Sequence, residues 1–340
     1  MKILSVIVPC YNSQDYIKRC VDSLLTCGEK VDKVEIIIVN DGSNDETAAI
    51  ADEYQRRFPK VVKVIHQENK GHGGAINTGI DNAGGVYLKV VDSDDWVDAA
   101  AYGRIIDTLS AFAADARPDM VISNYVYEKA GKRQKIAIKY TRSLPEGRLF
   151  RWDETKPFRI WQYLLMHSII YRLEILKECG LRLPEHKFYV DNIYAYVPMK
   201  LVETMYYLNV NLYRYFIGRD TQSINEKTMM RRIEQQLAVN KIMVEAVDLR
   251  GIRPVEKRAY LVHHLGIVTA VSSILLMRDG SARSMMKKAA LWRFIKHRDA
   301  LLHDKLRFGL TGFLLHLPSR MGRGVSVIVY KIARLIVGFS

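Results

Sequence analysis

Short unbroken apolar runs alternate with segments of helical spacing through the first third of the chain. Residues 4–8 read as a buried strand. Residues 35–40 contain Ile36-Ile37-Ile38-Val39, a β-branched run of the kind found in parallel strands covered on both faces. Residues 61–66 and 87–91 predict two more strands. Between them, Ile17, Cys20, Val21, Leu24 and Leu25 recur at helical spacing over residues 16–25. Ser43 or Asn44 can cap a helix over 45–58, and Glu46 suits its first turn. A glycine-rich turn at 71–74 leads into a helix through Ala75, Ile76 and Ile80. This alternation predicts an α/β fold: a mostly parallel, Rossmann-like sheet flanked by helices, with right-handed crossovers.

The pattern changes near residue 120. Residues 120–127 predict a strand, 129–160 are polar and irregular, and 173–179 and 189–201 are helix-like. Helical periodicity then covers 229–247, 255–277 and 282–297. The last forty residues are short apolar and basic segments punctuated by glycine and proline. The chain therefore divides into an α/β part, 1–228, and a helical, basic C-terminal region, 229–340. Within the first part, the change of pattern separates about 1–118 from about 119–228.

Ligands of open α/β sheets bind at the carboxyl ends of the strands. Three predicted strands end in polar residues. Val8 leads into Pro9-Cys10-Tyr11-Asn12, Val39 into Asn40-Asp41-Gly42-Ser43, and Val91 into Asp92-Ser93-Asp94-Asp95. Asp41 can accept from a base or ribose donor, with Gly42 allowing close backbone approach. Carboxylates packed as closely as Asp92, Asp94 and Asp95 repel unless a cation neutralises them. Oxygen ligands of this kind suit Mg²⁺ or Mn²⁺ together with phosphate oxygens. If the chain stays extended, Asp92 and Asp94 lie on one side.

These segments, with Asn69-Lys70-Gly71 through Asn77-Thr78-Gly79, occur in the order and spacing of family 2 glycosyltransferases, and the chain resembles that family over residues 1 to about 225. The resemblance implies an inverting, metal-dependent enzyme of the GT-A fold that moves a sugar from a nucleoside-diphosphate donor, UDP in the first instance, to a hydroxyl. It implies donor contacts from Pro9, Tyr11, Asn12, Asp41, Asn69, Gly73, Asn77, Asp92 and Ser93, and a Mn²⁺ or Mg²⁺ ion on Asp94 and Asp92. Many relatives carry Arg before the Asn of the third motif, where this chain has Ile76; Lys70 and His72 are the nearby substitutes. The family's base is commonly the Asp of a Glu-Asp pair. Here Val190 replaces the Glu, and Asp191 remains as the expected catalytic base. Residues 166–172 resemble the acceptor-lining segment and make His167 an acceptor residue, with Trp161 beside it. Tyr213-Arg214-Tyr215 and residues 218–223 resemble a loop that closes over the donor, with Arg219 as its cation.

Charge adds a second theme. The chain has 340 residues, 51 Lys+Arg against 37 Asp+Glu, and a net charge of +14. Residues 241–340 hold 18 of those cations and only 6 acids. Apolar and basic residues interleave there: Leu291, Trp292, Phe294 and Ile295 with Arg293, Lys296 and Arg298, and residues 325–339 with Lys331 and Arg334. That suits an anionic membrane surface at the inner face of the cell membrane. Nucleic acid fits less well, because no binding motif accompanies the charge. The N-terminal apolar run is shorter than a signal-peptide core. No stretch reaches the roughly 18 uninterrupted apolar residues of a span. Four cysteines without CxxC spacing predict free thiols in a reducing cytoplasm. The acceptor is expected to be a surface glycan or lipid-linked glycan, and the sequence leaves room for an oligomer. Two other classes share parts of the pattern. A nucleotidyltransferase would carry a basic glycine-rich loop where this chain has Pro9-Cys10-Tyr11-Asn12-Ser13, and an inactive glycan- or membrane-binding scaffold would have no need of Asp92, Asp94 and Asp191.

Overall fold

The computed structural model of the protein describes residues 1–129, 131, 135–217 and 226–317. They form two compact units: residues 1–156 with 164–217, and residues 157–163 with the described part of 218–340.

The first unit is built on ten strands: β1 (Leu4–Cys10), β2 (Val34–Asp41), β3 (Val62–Gln67), β4 (Tyr87–Val90), β5 (Trp96–Val97), β6 (Met120–Lys129), β7 (Ile136–Ile138), β8 (Leu149–Arg151), β9 (Ile169–Arg172) and β10 (Thr204–Ile217). The sheet order is β3-β2-β1-β4-β9-β6-β10-β5, with β7 beside β6 and β8 beside β10. Its helices are α1 (Ile17–Leu25), α2 (Thr47–Arg57), α3 (Gly71–Asn82), α4 (Ala99–Ala111), α5 (Leu173–Glu178) and α6 (Asp191–Tyr196).

β1 lies between β2 and β4, and every one of its residues is buried. The unbroken apolar runs of β1 and β2 thus report cover on both faces. β1 to β4 are parallel, as expected. Beyond them the sheet is mixed, because β9 runs antiparallel to both β4 and β6. β10 corrects a further expectation. Residues 213–215 are part of a fourteen-residue strand parallel to β6, not of a loop. Tyr213 is buried and Arg214 and Tyr215 are half-buried, and Arg214 is satisfied by Asp98 at 2.7 Å and Glu128 at 3.2 Å.

α1 buries Ile17, Cys20, Val21 and Leu24, the residues whose spacing predicts it. α3 begins at Gly71 itself and not after a turn. Gly71 has φ +75, and a Cβ there would lie 2.8 Å from the His186 backbone nitrogen. Glycine is therefore required on two counts.

The second unit contains α7 (Glu226–Arg231), α8 (Ile233–Ala246), α9 (Val255–Asp279), α10 (Ala282–Arg298), α11 (Ala300–Phe308) and α12 (Leu310–Leu315). Among the described residues α9 is the one helix long and apolar enough to cross a membrane, yet 78% of its most apolar window is buried. A helix apolar all round suits the centre of a bundle, and α8, α10, α11 and α12 pack against it. The first unit ends at residue 217, eleven residues before the division drawn from the sequence, and residues 157–163 join the second unit. Phe158 packs against Tyr260 in a tilted pair with centroids 5.0 Å apart, and the Gln162 carbonyl lies 2.9 Å from His263 Nε2.

Candidate active site

Three strands of one orientation deliver their polar ends to the same edge of the sheet. Pro9 is buried at the end of β1, while Tyr11 is exposed beyond it. Asn12 has φ +48, a left-handed conformation that asparagine tolerates. Its backbone N–H donates to Ser43 Oγ at 3.0 Å, and its Oδ1 accepts from Asn44 N–H at 2.9 Å. The ends of β1 and β2 are thereby tied into one ledge. On that ledge Asp41 Oδ1 accepts from Gln67 Nε2 at 2.6 Å and from Lys70 N–H at 2.8 Å. Asp41 Oδ2 has no hydrogen bond within the described residues. Asn69 Nδ2 donates to the Asp41 carbonyl at 2.9 Å.

After β4 the chain turns, and Asp95 N–H donates to the Asp92 carbonyl at 3.0 Å. The carboxylates thus occupy a turn and not an extended segment. Tyr213 on β10 holds it: its hydroxyl accepts from Asp92 N–H at 3.2 Å and donates to Asp95 Oδ2 at 2.6 Å. Phe216 N–H donates to Asp95 Oδ1 at 2.7 Å. Asp95 is fully buried, and burial, then Asp94 and Asp92, push its pKa well up. It is a structural carboxylate pinning the turn to β10. Ser93 Oγ meets Ser13 Oγ at 2.7 Å, fixing the same turn to the segment after β1.

Asp92 is the carboxylate that looks into the site. Its Oδ1 lies 2.8 Å from His72 Nε2 and its Oδ2 lies 3.9 Å from His167 Nε2. Burial is the strongest single influence and opposes its charge, but His72, His167 and Lys89 together outweigh it, and the Asp92 pKa falls. Burial likewise works against the charge on His72. Asp92, then Asp191 and Asp94, outweigh it and raise the His72 pKa. Lys89, fully buried in β4, donates to the His167 carbonyl at 2.8 Å; burial brings its pKa down to about 7. His167 stacks on Tyr215 at 4.2 Å and meets Tyr213 edge-on at 4.7 Å. Burial holds its pKa near 4, and its Nδ1 is buried without a hydrogen-bond partner.

Ligand atoms of Asp92, Asp95 and His167 lie within 4.8 Å of one another. Asp95 is taken up by Tyr213 and Phe216, but Asp92 and the half-buried Asp94 on the same turn offer carboxylate oxygens that fit a divalent cation such as Mn²⁺ or Mg²⁺.

Asp191 opens α6, and burial raises its pKa, with His72 partly offsetting and Asp92 adding to the rise. The approach to it is strained: His186 has φ +51 and Tyr189 φ +66. With Asn12, these are the non-glycine residues of positive φ among the described residues, and all three lie in loops of this edge.

Several expected contacts take other work. Asn77 spends both ends of its amide on Leu183, accepting from its N–H at 2.9 Å and donating to its carbonyl at 2.8 Å. Gly73 is a packing glycine, since a Cβ there would lie 2.5 Å from the Pro184 carbonyl oxygen. Trp161 belongs to the second unit and lines a cleft there. Arg219 lies outside the described residues. The sequence pattern understated His72: it pairs with a carboxylate twenty residues away, and a single His in a glycine-rich segment carries no signal for that.

A model of the family described as glycosyl transferase family 2 matches residues 5–173. The putative glycosyltransferase EpsH of Bacillus subtilis is 30% identical over 253 residues, 69% of this chain and 66% of that protein. The uncharacterized glycosyltransferase EpsJ of the same organism is 33% identical over 190 residues, 54% of this chain and 53% of that protein. The chain thus spans just under two thirds and about half of these relatives. Residues 1–349 of S. aureus TarS in complex with UDP share the fold with a TM-score of 0.68 at 20% identity, over 97% of this chain and 89% of that one. The mannosyltransferase PcManGT of Pyrobaculum calidifontis, in complex with GDP-Man and Mn²⁺, has a TM-score of 0.55 at 15% identity, over 98% of this chain and 86% of that one.

Proposed function

Given that the chain belongs to the family 2 glycosyltransferases, we propose that it is an inverting, divalent-cation-dependent enzyme that moves a sugar from a UDP-linked donor to a hydroxyl of a surface or lipid-linked glycan. The observation that carries this reading is the cluster of Asp92, Asp94 and Asp191 around His72 at the sheet's polar edge. Two neighbours of the same fold support the donor and the ion, one holding UDP and the other Mn²⁺.

Asp41 Oδ2 accepts from the base or ribose, and Pro9, Tyr11 and Asn12 shape the wall beside it. Asp95 is committed to Tyr213 and Phe216, so Asp92 and Asp94 hold the Mn²⁺ or Mg²⁺ ion. That ion, when bound, neutralises charge on the departing diphosphate. Asp191 takes the acceptor hydroxyl's proton as the new bond forms. Its raised pKa makes it a stronger base than a solvated Asp. His167 borders the acceptor side. The basic C-terminal region faces an anionic membrane surface, where a lipid-linked acceptor would lie.

The test is turnover of a panel of sugar nucleotides with Mn²⁺ and with EDTA, alongside Asp94→Ala. UDP-sugar cleavage that needs the metal and is lost in the variant is expected. Unchanged turnover in EDTA would remove the metal from the mechanism. Formation of a sugar nucleotide from a nucleoside triphosphate and a sugar phosphate would instead identify a nucleotidyltransferase.

A further inference from the structure

The second unit contains a cleft of about 260 Å³ between residues 157–163, α9, α11 and α12. Its walls are mainly apolar and aromatic, including Ile160, Trp161, Trp292 and Leu306. At 260 Å³ it exceeds the roughly 150 Å³ cavity that accommodates benzene, so a chain of several carbons fits. Lys305 is the one fully charged residue in its lining; it is exposed and forms no ion pair within the described residues.

The helices that form the cleft also present apolar side chains to solvent. Leu301 is 64% exposed, Phe308 73% and Phe313 58%. Arg307 sits over Phe308, its Cζ 5.4 Å from the ring. Exposed large apolar residues beside cations are costly in water and suited to the boundary between headgroups and acyl chains. The surrounding charge has the matching sign, since residues 241–340 carry three times as many cations as acids.

We propose that the α11–α12 corner binds one anionic membrane lipid, its hydrocarbon chain in the cleft and its phosphate on Lys305. This rests on the proposed membrane-facing role of the C-terminal region and gives it a defined site. Leu301, Phe308 and Phe313 enter the surface around that lipid.

The experiment uses the full chain and n-alkyl phosphates below their micelle concentration, followed by calorimetry and by the emission of Trp161 and Trp292. Octyl phosphate is expected to bind saturably. Affinity should fall roughly fourfold per methylene removed through hexyl and butyl phosphate, and inorganic phosphate should not compete. Lys305→Ala should weaken binding roughly fivefold. Gly266→Leu fills the cleft, because a Cβ there meets only the flexible end of Leu306, at 3.2 Å; it should weaken binding at least tenfold. Val262→Phe, from the same wall, is the second filling variant, and the chain-length series stands on wild type alone. Equal affinity across chain lengths, competition by inorganic phosphate, or wild-type affinity in a folded filling variant would overturn the site. Co-sedimentation with phosphatidylglycerol vesicles separates the two ideas. Vesicle binding without octyl phosphate binding ends the cleft proposal and leaves the membrane reading standing; octyl phosphate binding without vesicle binding does the reverse.

Discussion

Asp191 and His264 are both displaced from their ordinary pKa values by burial, in opposite directions and with different consequences. The Asp191 carboxyl is raised, and a base works only when ionised. Transfer should therefore decline as pH falls through that raised value. Asp191→Asn should lower transfer by roughly 10²–10⁴-fold, remove that acidic limb, and leave UDP affinity by calorimetry within a factor of about two. Normal transfer with lost UDP binding would make Asp191 a donor residue. His264 sits in the second unit against Tyr163, ring centroids 4.4 Å apart, and burial pushes its pKa from 6.5 down to about 3. Above 6.5 it is neutral in both folded and unfolded chains and contributes no pH dependence. Below 6.5 the unfolded chain takes a proton that the folded chain refuses, so stability falls with pH. Between pH 7 and pH 5 the loss is about 2 kcal/mol. Thermal melts at the two pH values should show that loss in wild type and a shallower one in His264→Phe.

At the scale of elements, α3 links the donor ledge to the segment that carries Asp191. Its glycines allow this by close approach. A Cβ on Gly79 would lie 2.5–2.7 Å from Ile7 atoms of β1, in a core that has no room to give. Gly79→Ala should cost about 1–3 kcal/mol in denaturant unfolding, as overpacking does. Gly84→Ala is the control, since the nearest atom to a Cβ there is a Glu35 carboxylate oxygen at 3.6 Å. Equal effects in the two variants would show that conformational entropy, not the α3–β1 contact, decides the outcome. β10 has a comparable linking role: Tyr213 and Phe216 hold the Asp92–Asp95 turn from a strand more than a hundred residues away.

At the scale of the whole chain, charge is partitioned rather than spread. The last hundred residues hold 18 Lys+Arg and 6 Asp+Glu, and each cation near an anionic surface contributes on the order of 1 kcal/mol. Co-sedimentation with anionic vesicles should be strong at low salt and fall steeply as the Debye length shrinks from roughly 10 Å at 0.1 M to 3 Å at 1 M. A residue of binding that survives high salt is expected from apolar insertion. Equal binding to neutral and anionic vesicles would show that the charge serves another anion.

The sequence by itself determined the elements whose signal is local. β1 and β2 announce themselves because strands buried on both faces must be apolar at consecutive positions, and α1 because one buried face recurs every three to four residues. Motif order gave the family, and strand-end chemistry made Asp41, Asp92 and Asp94 candidates. Tertiary structure alone decided which polar groups meet. Arg214, Tyr213 and Asn211 make β10 look unlike a core strand until Asp98, Glu128, Asp95 and Asn124 supply their partners. Asp95 and Asp94 are equivalent in sequence, yet Tyr213 and Phe216 take both oxygens of Asp95. His72 becomes a site residue only because α3 sets it 2.8 Å from Asp92. Trp161 goes to the second unit because its segment packs on α9. Hydrophobic periodicity reports whether a position is buried; the identity of a polar partner depends on pairings between distant segments, which periodicity does not encode.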